Sequence, residues 1–479
     1  MRDALYRYLY FTILRKRSFA GEVSFSYNKH MRFYKDKVFW YVFTALALVK
    51  GAALAGVFYF HPLGEKILAF PDSLTYVYPA QTWLEYGQMW EAVTAAPMLL
   101  RTPGYPFFLA VVQTLFHNMT WAVVLVQNLL SLALLIPVYM TAEKLNGKHA
   151  ARAAALFCAA SVLYFSLSFA VLTEILCAFL LSWFVYFTVN FLLKPAGHKL
   201  FLAALFLSSA VYVRPAAYYF MFASTIILVC FSAAKLVRFP AWKIAAFFFV
   251  PLLILVGAWQ VRNSVQTGFG GFTSVGAYNL YMWNEDYLAH KYNLSVPQAH
   301  QLLENALPPG FNSLPPTEQV RLYKAMAKPL IQESFFYKLS RAPLWAVKTL
   351  FGANFVHCSR LLTGGAIPEE ELDGQMLNHT AALHENWLKT IPHKLLFLLT
   401  AGEVFLLVLC GSAGFLLMWK TRRTETFFLL IYCLYFWGIG SVFFGAYARF
   451  RAPFEFALCI TAGAAANALF QYAKTKIKR

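Results

Sequence analysis

Apolar residues run in blocks of about twenty along most of the chain, the length a helix needs to cross the hydrocarbon layer of a membrane. The blocks lie at 38–60, 120–141, 150–167, 170–193, 200–213, 216–234, 242–261, 394–418, 425–446 and 453–472. They predict an all-α integral membrane protein of about ten transmembrane helices. The block at 200–213 is short. The stretch 104–117 is also shorter than a span and reads as a re-entrant or interfacial helix; if it crossed, every later loop would change sides. The polar segments between blocks divide the chain into four regions. A basic cytoplasmic segment covers 1–37, and an N-terminal membrane module covers 38–261, with a first outer loop at 61–103. A large outer-loop region, expected to be mostly helical, covers 262–393. The last spans and a basic tail cover 394–479.

Composition agrees with the pattern. Of 479 residues, 59% are hydrophobic and 13% charged, against about 25% charged in soluble domains. This excludes a soluble enzyme, a disordered chain and a collagen-like fibre. Lys and Arg number 41 against 22 Asp and Glu. The basic residues crowd into 1–37, 142–152, 194–199, 235–243, 419–424 and 473–479. The opposite short segments hold only Lys66, Arg101, Arg214, Arg449 and Arg451. That asymmetry is the positive-inside bias, with both termini cytoplasmic, and it accounts for the basic excess without nucleic acid. The 7 cysteines are scattered, with no CxxC pair and no zinc-ligand spacing. The chain has no phosphate-binding P-loop and no strand-to-helix GxGxxG, which disfavours a nucleotide-driven pump.

The residues that carry chemistry are those costly to place beside lipid. Asp72 opens a predicted helix at 73–87 whose Tyr76, Tyr78, Trp83, Tyr86 and Trp90 give it an interfacial aromatic face. One reading of Asp72 is a helix cap. The other is a carboxylate against apolar walls that raise its pKa and suit it to act as a base. Arg101, Arg214, Arg262, Arg449 and Arg451 sit at outer ends of spans, against the positive-inside bias. Each alone could snorkel to headgroups. Together, three of them near helix-breaking prolines, they point to a shared anionic ligand, and guanidinium forks suit phosphate. Glu174 stands in an apolar stretch, either as a functional acid or as partner to an arginine. Glu455, four residues after Arg451, is expected to pair with it. Lys50, in mid-span, is expected to be paired or to face the same cavity.

Asp72-Ser73 with Tyr76, then Arg101-Thr102-Pro103-Gly104-Tyr105-Pro106, resembles the first outer loop of GT-C-fold glycosyltransferases. The nearest branch is the bacterial one similar to protein O-mannosyltransferases and lipid A aminoarabinose transferases. Leu172-Thr173-Glu174, Val213-Arg214-Pro215, Trp259-Gln260-Val261-Arg262-Asn263 and Arg449-Phe450-Arg451-Ala452-Pro453 extend the resemblance. It implies a GT-C-like fold in a bacterial inner membrane, with the active site facing the periplasm. It also implies transfer of a sugar from a polyprenyl-phosphate carrier to a glycan, lipid or protein acceptor. Asp72 would be the catalytic carboxylate, and Glu174 matches the family's second acidic position. Two departures are Ser73, where many relatives have a second acid, and Glu455, where many have proline.

On this reading Asp72 is the base, and Arg214, Arg262, Arg449 and Arg451 hold the carrier phosphate. Arg101 orients the donor or Asp72. Glu174 binds either a sugar hydroxyl or, with Asp72, a divalent cation such as Mg²⁺ or Mn²⁺. Tyr76, Tyr105, Asn263, Tyr278, Trp283 and Glu285 shape the substrate space. Two other classes share some of these features. A polysaccharide polymerase or ligase would gather its arginines around the large loop, far from Asp72. A lipid flippase or transporter would divide its functional charges between both membrane faces.

Overall fold

The computed structural model describes residues 33–60, 68, 70–91, 96–354, 358, 361, 391–443 and 447–477. Most of the basic segment 1–37, and 362–390 of the large loop, lie outside the described residues. The chain divides into Met1–Lys37 and Val38–Arg479, and the second unit carries all that follows.

Described residues form helices and turns, with one isolated bridge between Trp90 and Pro97. Helix α1 spans Lys37–Phe60, α2 Leu74–Tyr86, α3 Gly104–Phe116, α4 Trp121–Ala133, α5 Leu135–Ala160, α6 Glu174–Leu193, α7 Gly197–Val213, α8 Tyr218–Ala233 and α9 Val250–Thr267. The large loop contributes α10 Val275–Met282, α11 Glu285–Tyr292, α12 Val296–Asn305 and the long α13 Pro316–Phe351. Helices α14 Ile391–Thr421, α15 Arg423–Gly438 and α16 Ala452–Ile477 complete the order.

The helical membrane architecture is as expected, but the count of long spans differs. Among the described residues, 7 stretches are long and apolar enough to cross a membrane. One of these stretches, Trp121–Ala160, holds helices that meet at a kink at Gly147, so the blocks at 120–141 and 150–167 fall on either side of that glycine. Gly147 turns the chain at φ 82°, a conformation that glycine reaches without a Cβ penalty. The 17-residue α7 falls below spanning length, whereas the 16-residue α15 runs on without a break into the π-helical stretch Ile439–Phe443. The block at 242–261 runs on to Thr267, so Arg262 and Asn263 lie inside α9 instead of beyond it.

Helix α16 forms the buried axis, packed against α5 and α14. A Cβ added at Gly463 would meet the Ala150 carbonyl oxygen at 2.3 Å, and one at Gly414 would meet that of Thr461 at 1.8 Å. Backbones therefore touch here, as small residues allow between helices in lipid. Lys50 in α1 does not join the charged site. Its Nζ donates to Asn128 Oδ1 at 3.1 Å and Ser168 Oγ at 2.7 Å, under the rings of Phe165 and Phe169. These partners anchor the non-helical stretch 168–173 that leads into α6.

Candidate active site

Turns at one end of the helices assemble the site. Pro71–Ser73 forms a 3-10 turn that ends where α2 begins. Ser73 Oγ accepts from the Phe70 N–H at 2.8 Å and donates to the Val171 carbonyl at 2.9 Å. The Val171 N–H in turn reaches the Leu68 carbonyl at 3.0 Å. The departure from a second acid at position 73 thus supplies a latch between the first loop and the turn before Glu174. Ser73→Ala would leave a buried donor and acceptor unmet. It is expected to lower stability by about 1–3 kcal/mol, read as thermal unfolding in detergent.

The Arg101–Pro103 segment is fixed at several points. Glu91 Oε1 accepts from the Leu99 and Leu100 N–H groups at 2.7 and 2.6 Å. Thr273 Oγ1 and the Ser274 N–H, each at 2.8 Å, bind the Leu99 carbonyl from the start of the large loop. Thr102 Oγ1 donates to the Val213 carbonyl at 3.0 Å, beside Arg214. At Gly104 a Cβ would meet the Tyr212 carbonyl group at 2.7 Å, so only glycine lets α3 approach α7 this closely.

These ties bring five charged side chains into one chain of ion pairs. Arg101 Nη2 lies 2.8 Å from Asp72 Oδ1, and Arg449 Nη2 lies 3.0 Å from Asp72 Oδ2. Arg214 Nη1 lies 2.7 Å from Glu174 Oε1, and Arg449 Nε lies 4.0 Å from the same oxygen. Arg449 therefore bridges the two acids. Glu174 opens α6, where the N-terminal helix dipole favours a negative charge. Arg101 is steered by Thr75, whose Oγ1 accepts from its Nε at 2.9 Å, and it lies over the Tyr76 ring at 4.9 Å. Phe450 lies near Arg214 and Arg449, each 5.7 Å from its ring.

The electrostatics reverse one expectation. Burial pushes the Asp72 carboxyl up, but Arg449 and then Arg101 outweigh it and hold the pKa at about 2. Two guanidiniums, not apolar walls, set the acidity.

The other sequence candidates divide. Tyr76 is buried at the floor, edge-on to Tyr105 at 5.2 Å. Tyr105 is fully buried, with its hydroxyl on Gln127 Oε1 at 2.7 Å, so it supports the floor from below. Tyr278 lies above: burial raises its pKa, Glu285 adds to this, and Arg101 opposes it. Trp283 reaches Phe450, with ring centroids 6.3 Å apart. Glu285 Oε2 is 2.8 Å from His300 Nδ1, and that contact raises the imidazole pKa. Tyr447, not singled out in the sequence, also borders the site, 5.6 Å beneath the Arg449 guanidinium.

Three candidates stand apart from the Asp72 cluster. Arg262 stacks on Trp259 at 4.5 Å and donates to the Met98 carbonyl at 3.2 Å, at the wall of a neighbouring apolar cavity. Asn263 is fully buried and pins the Gly271 and Phe272 carbonyls at 2.9 and 3.1 Å, a structural task. Arg451 is fully buried and paired with Glu455 at 2.5 Å, as its spacing suggested, out of reach of a ligand at Asp72.

A divalent cation fits this donor set poorly. Both Asp72 oxygens and Glu174 Oε1 already face guanidiniums, and among the described residues no group of three His, Cys, Asp or Glu is placed to hold a metal ion. The positive charge here comes from arginine.

The neighbouring cavity, about 690 Å³, lies between α2, α3, α6, α7 and α9 and is walled by Phe107, Val111, Leu180, Leu255 and Trp259. Leu176, Pro103 and Val213 at its edge neighbour Glu174, Arg101 and Arg214 in sequence.

Residues 100–259 match the family described as dolichyl-phosphate-mannose-protein mannosyltransferase. This bears out the resemblance drawn from the motifs, over a stretch that includes Arg101, Glu174 and Arg214. The chain is similar to the archaeal oligosaccharyltransferase AglB from Archaeoglobus fulgidus, solved in complex with an inhibitory peptide and a dolichol-phosphate. Identity is 13%, over 91% of this chain and 51% of that one, with a TM-score of 0.45. It is also similar to ArnT from Cupriavidus metallidurans bound to undecaprenyl phosphate, at 14% identity, over 90% of this chain and 78% of that one, with a TM-score of 0.41. The chain spans about half the length of the archaeal enzyme. No curated protein matches it in sequence.

Proposed function

We propose that this protein moves a sugar from a polyprenyl-phosphate carrier to a hydroxyl or amine acceptor on the non-cytoplasmic face of a bacterial inner membrane. The observation that carries the reading is the bridging of Asp72 and Glu174 by Arg449, with Arg101 and Arg214 on either side, next to an apolar cavity. Lipid phosphate has the same two parts, an anion and a hydrocarbon tail. A flippase could use both, but it would not need a carboxylate beside the phosphate position.

Sugar transfer needs a base for the acceptor and stabilisation of charge on the departing phosphate. Asp72 takes the acceptor proton as the acceptor oxygen or nitrogen forms its bond to the anomeric carbon. The bond from that carbon to the carrier phosphate breaks, and its electrons pass to the phosphate oxygen. Arg449, with Arg214 beside it, meets that growing charge; fixed dipoles and charges of this kind are usually the largest single catalytic contribution. Attack opposite the phosphate inverts the anomeric centre. Arg101 holds Asp72 in place, Glu174 keeps Arg214 and Arg449 oriented, and Tyr278, Trp283 and Tyr447 overhang the acceptor side.

The test is transfer from a radiolabelled polyprenyl-phosphate sugar by the purified chain in nanodiscs, with the nucleotide sugar as control. Transfer from the nucleotide sugar alone would overturn the reading. The tail assignment has its own probe. Leu180→Trp narrows the cavity and should displace at least two buried methylenes, at about 0.8 kcal/mol each. KM for a long-chain donor is then expected to rise about tenfold. KM for a short-chain analogue should stay put.

A further inference from the structure

We propose that Arg451 is a positioning residue that couples the long helix α13 of the large loop to Arg449. This rests on the role given to Arg449 above. Arg451 and Arg449 share the 3-10 turn Ala448–Arg451 but work in opposite directions. While Arg449 reaches Asp72, Arg451 Nη1 donates to the carbonyls of Leu350 and Gly352 at 2.8 Å each and of Thr349 at 3.3 Å. These are carbonyls at the end of α13, which a helix cannot satisfy by itself, and a cation is favoured there. The guanidinium thus caps another helix from inside the protein.

The joint is tight. Arg451 Nε is held by Glu455 at 2.5 Å, Glu455 accepts from Ser161 Oγ, and Glu403 of α14 interacts with both charges. Trp437 Nε1 donates to the Ala346 carbonyl at 2.9 Å, a second tie from α15 to the same end of α13. A Cβ at Gly352 would meet Ala448 Cβ at 2.9 Å, so helix end and turn are in contact without slack.

The far part of α13 belongs to the acceptor side. Ala327 lies in the buried cluster with Tyr281, Met282 and Leu288, against which Tyr323 packs. Lys338 Nζ donates to Asn284 Oδ1 at 2.7 Å and Tyr337 to Asp286 Oδ2 at 3.1 Å. Asn284 lies between Trp283 and Glu285 in sequence. A shift of α13 when acceptor binds under α10 and α11 is therefore passed through Arg451 to the turn that presents Arg449. A misplacement of about 1 Å in such a group costs on the order of 100-fold in rate.

The experiment compares four variants of the full chain in nanodiscs. Gly352→Ala wedges the joint without touching a charge. Arg451→Met with Glu455→Gln removes the buried pair together, so that neither member of it is left facing a missing partner. Arg451→Lys keeps one donor. Asn467→Ala, which removes a 3.2 Å bond to the Asn146 carbonyl at the other end of α16, is the stability control. Expected are losses in kcat of about 10–100-fold for the first two, partial rescue by lysine and near-normal turnover for the control. Structures of the first two should also show Arg449 Nη2 withdrawn from its 3.0 Å contact with Asp72. The proposal is overturned if that contact persists, or if kcat merely follows the unfolding midpoint across all four. Because the structural readout needs no turnover, a wild type that transfers nothing would sink the transferase reading without deciding the joint.

Discussion

Asp72→Asn should lower turnover by about 10²–10⁴-fold while changing affinity for the carrier phosphate little. The amide keeps the shape of the carboxylate but cannot accept the acceptor's proton. It also removes the negative charge that Arg101 and Arg449 neutralise in the free protein. Those guanidiniums then face the donor phosphate with less competition, so carrier affinity should hold or improve. The measurement is single-turnover transfer alongside carrier binding. Near-normal turnover in a properly inserted variant removes Asp72 as the base.

The second large effect is expected for Arg449→Ala. Arg449 touches both acids and contributes most to lowering the Asp72 pKa. Losing it should weaken donor binding and cut kcat/KM by about 100-fold or more, the range seen when a preorganised charge-stabilising donor is removed. It should also change the pH profile. With Asp72 held at about 2, its charged form persists to strongly acidic pH. The stability this contributes is full above the ordinary carboxyl pKa and lost as pH falls through 2. Removing Arg449 lets the pKa climb toward the usual 3.9 or above, since burial then goes less opposed, and the acid limb of kcat/KM should follow. Donor phosphate should do the same to the wild type by drawing Arg449 off Asp72. The acid limb of kcat, set in the donor complex, is therefore expected above that of kcat/KM. Identical limbs would separate Arg449 from both roles.

The same charges explain how much could be read in advance. Asp72, Arg101, Glu174, Arg214 and Arg449 were legible because an ionised group beside lipid is too costly to be placed idly. A shared ligand for them was also legible, but not the means of bringing them together, the Ser73 latch and the Thr102 and Thr273 ties, which are single side-chain hydrogen bonds between distant segments. Spacing also misled at Arg262 and Arg451. Arg262 lies within a helix that ran past its apolar block, and its neighbour Asn263 projects about 100° around the same axis, into the core. Arg449 and Arg451 are two residues apart in a turn with three residues per repeat, so they leave on different sides. The blocks at 120–141 and 150–167 are divided within their polar connection by a single residue, Gly147, whose non-helical backbone makes the kink between them.

The glycine contacts along α16 have a mechanical consequence. Where Gly414 and Gly463 bring backbone against backbone, neither sliding nor rotation is available without a collision. The axis behind Arg449 is thus a keel. Whatever yielding turnover requires falls on the far gunwale, where α2, α3 and α9 enclose mostly hydrocarbon-lined space and the Gly104 contact ties only α3 to α7.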